Sequence, residues 1–181
     1  VAAVGVIAAV KYMPSRERAD LDALYAAGGS DRVALYLNYE RQEESGVYVD
    51  GQTYLPAAWV GANLNERFYW DANEEILVYA LPEEIVKSDE TTVDEDGKKI
   101  LYRDGDAVYL SLALIQKYTD VRLQAYDGEA QKRVFVENNW DPVTVADAAW
   151  SAKIRLRGGL KSPIVTEIKR GGTVTVLEQY D

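Results

Sequence analysis

The chain has no cysteine and no histidine. Those two absences remove much of enzyme chemistry at once. There is no thiolate nucleophile, no Ser-His-Asp triad and no imidazole general base. Zinc and copper sites, which draw on Cys and His ligands, are excluded with them. Carboxylates, lysine, tyrosine and oxygen-ligated metals are what remain. No intrachain disulfide framework forms, although that alone does not exclude a home outside the cytoplasm. Positive charge is also scarce: 20 basic residues stand against 30 acidic ones, a net charge of −10. Such a field repels nucleic acid and anionic membrane surfaces, and it favours solubility and cationic ligands.

Hydrophobic residues make up 48% of the 181, enough for a packed core in one large domain or two small ones. The one long apolar run is residues 1–10, VAAVGVIAAV, followed by Lys11. A membrane span needs about 20 such residues. The run lacks a Met start and a basic leader, and reads as the tail end of a signal anchor; a short buried helix is the alternative. Residues 14–27, PSRERADLDALYAA, read as a stalk helix, with Pro14 in its first turn, Ser15 or Asp20 as cap, and an apolar stripe at Leu21, Leu24 and Tyr25. Residues 1–30 thus form an anchor remnant and stalk.

The body of the chain repeats itself. Residues 47–80 and 101–136 each carry an aromatic strand, an Asp-Gly turn, a Tyr-Leu pair, a short helical stretch, an aromatic-Asp turn and an apolar strand. In the first copy, a strand over 33–38 and a charged turn over 40–46 lead into strands flanking Asp50-Gly51. Pro56 opens a helix to Asn63, with Trp59 and Val60 inward, and a hairpin joins 67–70 to 76–80. Residues 81–88 bridge the copies, and 89–99 form an acidic loop or hairpin tip. In the second copy Asp104-Gly105 repeats the first turn, Tyr109-Leu110 repeats Tyr54-Leu55, and Ser111 replaces Pro56 as helix starter. The expected fold is α+β: a two-repeat domain over 31–137 whose hairpins and short helices share one core. A linker over 138–152 follows, broken at Asp141-Pro142. Residues 153–181 then read as three short strands, at 154–156, 164–168 and 174–177, of an incomplete β-barrel with open edges.

The first copy, with Gly51, Leu55, Pro56, Leu64, Trp70 and Asp71, resembles the copper-amine-oxidase N-terminal-like domain of Firmicute surface proteins. The second departs from it at Ser111 and Tyr126. The family's name brings no copper site with it. Residues 153–181 resemble a bacterial Src-homology-3-like domain at Ile154-Arg155, Ser162-Pro163 and the Gly171–Leu177 strand, without its closing Trp strand. The order of the parts is similar to the front of clostridial surface proteins in which a family-18 glycoside hydrolase barrel often follows. That resemblance implies an extracytoplasmic module, membrane-anchored or wall-associated in a Gram-positive bacterium, that positions a downstream domain. The alternative it implies is the accessory part of a hydrolase of wall or spore polysaccharide. The DxxDxDxE catalytic motif of that hydrolase does not occur here.

Residue patterns offer few sites. Trp70-Asp71 and Tyr126-Asp127 suit carbohydrate stacking, but their recurrence suits packed aromatics with turn-capping Asp better. Asp89, Glu90, Asp94, Glu95 and Asp96 read as a solvated loop rather than a calcium site, because EF-hand spacing is missing. Asp104 and Asp106 are a weak acid/base pair in a chain so rich in carboxylates. Lys153, Arg155, Arg157, Lys161, Lys169 and Arg170 either contact anionic wall polymers or protect strand edges. The expectation is no catalytic, cofactor or metal residue and no nucleic-acid partner. Cell-wall polysaccharide or peptidoglycan is the candidate partner, and the open edge at 174–177 is expected to pair with the repeat domain or a second molecule, the alternative being a poorly ordered segment.

Overall fold

Asp20 begins the first helix of the computed structural model, which describes residues 13–140 and 144–179. Its Oδ1 accepts from Ala23 N at 3.0 Å, and α1 (Leu21–Tyr25) follows. The stalk helix expected over 14–27 is therefore a single turn and a half. Residues 15–19 are extended instead, because their backbone groups find partners elsewhere: Ile164 N donates to Glu17 O and Ala19 N donates to Ile164 O, both at 2.8 Å. The apolar run 1–10 lies outside the described residues. Among the described residues no helix is long and apolar enough to cross a membrane.

The fold is α+β, mostly strand with three short helices among the described residues. Two units emerge: residues 25–140, and residues 13–24 together with 144–179. The larger unit carries β1 (Arg32–Leu37), β2 (Glu40–Val49), β3 (Gln52–Pro56), α2 (Ala57–Asn63), β4 (Phe68–Asp71), β5 (Ile76–Ala80) and β6 (Ile85–Ser88). It continues with β7 (Leu101–Asp104), β8 (Ala107–Ser111), α3 (Leu112–Tyr118), β9 (Arg122–Tyr126) and β10 (Arg133–Glu137). Seven of its strands form one sheet in the order β7-β8-β3-β2-β1-β10-β9; β4, β5 and β6 form a second. Only the β1–β10 pairing in these sheets is parallel.

Both helices start where the Tyr-Leu strands end. Pro56 precedes α2 without a side-chain cap, whereas Ser111 Oγ caps α3 by accepting from Leu114 N at 3.2 Å. Inward side chains of the two sheets and both helices merge into one core, including Val33, Leu35, Leu55, Val60, Leu77, Leu110, Ile115, Val134 and Val136. The other face of the large sheet bears a small cluster of Val47, Tyr54 and Tyr109. At the seam between β3 and β8, Tyr54 pairs with Ser111, Leu55 with Leu110 and Pro56 with Tyr109.

The hairpins correct several expectations. Residues 40–46 are not a turn but the charged half of β2. The turn is Asn38-Tyr39, closed by the Leu37–Glu40 pair, with φ of 48° and 72°. Both central residues are left-handed, as a type I′ turn requires. Asp50-Gly51 is a second I′ turn, with φ of 50° and 79° between the paired Val49 and Gln52. The matching turn is displaced by one residue. Asp104 pairs with Ala107, so the turn is Gly105-Asp106, and only Gly105 has positive φ, 60°. That is the II′ pattern, and it absorbs the extra residue between Gly105 and Tyr109. The bridge over 81–88 ends in a strand, β6.

In the smaller unit, β11 (Thr144–Asp147) pairs with β14 (Thr173–Val176), and β12 (Ala152–Arg155) with β13 (Ile164–Ile168). The segment read as a linker over 138–152 thus supplies β11 and the start of β12. The edge expected at 174–177 is paired over Thr173–Val176 with β11, from within the same unit. The two ribbons do not close into a barrel. Among the described residues of this unit Ile164, 3% exposed, is the buried hydrophobic side chain, and Trp150, Leu160 and Leu177 are exposed.

Candidate functional site

A cleft of about 340 Å³ in the larger unit lies between the three-stranded sheet, α3 and the 92–100 hairpin. Its formation follows from strand alternation. Phe68 on β4, Leu77 and Tyr79 on β5, and Val86 and Ser88 on β6 point to one face, because successive side chains of a strand alternate. Leu114 and Tyr118, four apart on α3, meet them from the helix side. The rings interlock: Tyr79 lies 4.2 Å from Tyr118 and 4.7 Å from Phe68, centroid to centroid. Polar bonds fix this arrangement. Tyr79 OH donates to Tyr118 O at 3.2 Å, and Asn65 Nδ2 donates to the same carbonyl at 2.9 Å and to Thr119 Oγ1 at 3.1 Å.

One lip of the cleft is acidic. Asp94, Glu95 and Asp96 occupy the tip of a tight hairpin bridged at Val93 and Lys99. Asp94 Oδ1 accepts from Asp96 N at 3.0 Å and Lys98 N at 2.9 Å, which fixes the backbone of the turn. Glu95 and Asp96 are exposed, and so is Val93 at the mouth. Lys117 lines the cleft from α3, its Nζ 5.5 Å from the centre of the Tyr118 ring.

The residues singled out by sequence mostly serve structure. Asp71 Oδ1 caps its turn by accepting from Asn73 N at 2.9 Å and Glu74 N at 3.2 Å. Trp70 packs half-buried on the core beneath the Arg103 guanidinium, 5.5 Å away. Arg103 Nη1 reaches Glu75 at 3.0 Å, and its Nε lies 3.4 Å from Glu90 without an aligned hydrogen bond. Tyr126 occupies a different environment from Trp70: it lies against Phe135 and the Arg133 guanidinium on the opposite side of its sheet. Asp89 Oδ1 accepts from Thr91 N, Thr91 Oγ1 and Thr92 Oγ1 at 2.7 to 3.0 Å. The Thr91 hydroxyl above all, with its amide and Thr92, holds the Asp89 carboxyl below the usual range. Asp104 sits 4.0 Å from Arg32, and Asp106 is exposed in the II′ turn. The Arg32 guanidinium is held more basic by its hydrogen bond to Tyr109. Among the described residues no three His, Cys, Asp or Glu side chains converge to hold a metal ion.

Of the basic cluster, Arg155 is spent internally. It donates to Ser162 O and, at 3.1 Å, to Ser15 O, tying residue 15 to the β12–β13 ribbon. Lys153, Arg157, Lys161, Lys169 and Arg170 are exposed. The cleft itself escaped sequence reasoning. Asp94–Asp96 were visible as an acidic run, but Phe68, Tyr79 and Tyr118 are distant in the chain and carry no shared local motif. No protein-family model, curated protein or solved structure matches this chain.

Proposed function

We propose that this chain is a non-catalytic extracytoplasmic module, attached to or associated with the wall of a Gram-positive cell, that positions a downstream domain. The observation carrying the non-catalytic reading is the use of its carboxylates. Asp71, Asp89 and Asp94 hold turns, and Glu75 and Glu90 flank Arg103 over Trp70. Groups committed to accepting from backbone amides are poor proton shuttles.

Support for the two-repeat reading comes from the β3–β8 seam. Exchanging Tyr54-Leu55-Pro56 with Tyr109-Leu110-Ser111 maps that pairing onto itself, as a local two-fold between copies demands. The resemblance of residues 153–181 to a Src-homology-3-like domain supports a wall-facing role, and the exposed lysines and arginines there suit anionic polymer. The test is co-sedimentation with purified Gram-positive sacculi, run beside an assay on chitin oligomers and peptidoglycan. Binding weakened by charge reversal at Lys153, Arg157, Lys169 and Arg170, with no turnover, is the expected result. Hydrolysis by the purified protein, or sedimentation indifferent to that reversal, would overturn it.

A further inference from the structure

We infer that the cleft over Phe68, Tyr79 and Tyr118 is a binding site for a small aromatic amine, its ring in the cleft and its ammonium at the Asp94–Asp96 lip. This stands independently of the wall-associated reading. At about 340 Å³ the space falls within the range of small-molecule pockets. Its interior is apolar: Phe68, Leu77, Tyr79, Val86, Ile100 and Leu114 supply ring and aliphatic surface. A flat ring buried there gains area against three mutually packed aromatics, in the offset and tilted geometries that such groups favour.

Charge selects the rest of the ligand. Three carboxylates and the ammonium of Lys117 line the mouth, while Lys98 and Lys99 follow on the same hairpin but do not line the cleft. Asp94 spends one oxygen on the turn, and Glu95 and Asp96 are exposed at its tip. Lys117 already rests near the face of Tyr118, an arrangement in which the ring's negative face accepts a cation. The surrounding unit adds to the bias, because acidic residues outnumber basic ones about two to one over residues 25–140. An anion of the same shape meets that field with the wrong sign. A neutral ring gains burial but nothing at the lip.

The probe pair is tryptamine and indole-3-propionate, matched in ring and differing in the charge of the side chain. Titration followed by ¹⁵N–¹H correlation spectra of the full chain is expected to shift amides of 92–100 and 113–118 with tryptamine. The propionate should bind at least about tenfold more weakly. The double variant Glu95→Gln/Asp96→Asn spares the Asp94 turn and should weaken tryptamine about fivefold. Ala113→Trp, at an exposed position bordering the cleft, should block it, with the folded state verified by the dispersion of the same spectra. Absence of binding by tryptamine at millimolar concentration overturns the inference. So do equal affinities for the two probes, shifts that map outside the cleft, or affinity unchanged in the double variant.

Discussion

Gly46 offers the sharpest test of the packing. It lies in β2 opposite Val33, at the point where β1 and β3 press most closely on it. A methyl group built there meets Tyr54 O at 2.7 Å, Leu55 Cδ2 at 3.1 Å and Val33 Cβ at 3.3 Å. The nearest of these is backbone, so no rotamer change relieves it. β3 must shift, and β3 carries Leu55, fully buried and paired with Leu110. Overpacking of a tight interior costs about 1–3 kcal/mol. Loss of glycine's freedom in the unfolded chain returns about 0.4–1 kcal/mol. With a rigid obstacle the cost belongs at the upper end, so Gly46→Ala should destabilise by about 2 kcal/mol. Gly128→Ala is the control: its added methyl meets nothing within 4 Å, and its φ is not left-handed. It should be neutral or slightly stabilising. Urea unfolding followed by circular dichroism reads both, with the midpoint lowered at constant slope for the first variant. A Gly46→Ala protein within about 0.5 kcal/mol of the parent would refute this account of the β1–β2–β3 contact.

Thr53 Oγ1 is buried without a hydrogen-bond partner, so Thr53→Val should stabilise by about 1 kcal/mol in the same urea assay. Asn65 joins the α2–β4 connection to the end of α3, and Asn65→Ala, leaving Tyr118 O with fewer donors, should cost about 1–3 kcal/mol by calorimetry. Burial, reinforced by Asp50 and Asp94, raises the Tyr54 hydroxyl above its ordinary 10.0. The native state therefore keeps that proton longer than the unfolded chain. The contribution is whole below pH 10 and is lost as pH rises through the elevated value, so the parent should lose stability more steeply than Tyr54→Phe in unfolding series taken above pH 10.

Local chemistry made much of the larger unit legible. Asp-Gly marked both hairpin regions, Ser111 announced the start of α3, and β-branched and aromatic runs marked β1, β3, β5 and β10. The one-residue displacement of the second turn was not legible, because Asp104-Gly105 and Gly105-Asp106 are both acceptable turn pairs and strand register chooses between them. The charged half of β2 was hidden for a related reason. Its side chains point to solvent and look like a loop, while its backbone is claimed by β1. Residues 15–19 misled through composition, helix-like in content but held extended by Ile164 some 140 positions later, as Ser15 is by Arg155. The cleft depends on such long-range placement throughout. Only its acidic lip, contiguous in the chain, left a trace.

The parallel pairing of β1 with β10 has a consequence for synthesis of the protein. β2 follows β1 at once and covers one of its edges. The other edge waits for Arg133 to Val136, nearly a hundred residues downstream. Until then a strand destined for the middle of a seven-stranded sheet presents open donors and acceptors beside Val33 and Leu35. Local hairpins form quickly, but this closure is a high-contact-order event, and no nascent chain shorter than β10 can complete it. Closure of the sheet thus waits until β10 has left the ribosome, and the unit's interval of greatest exposure to aggregation and proteolysis follows from its topology.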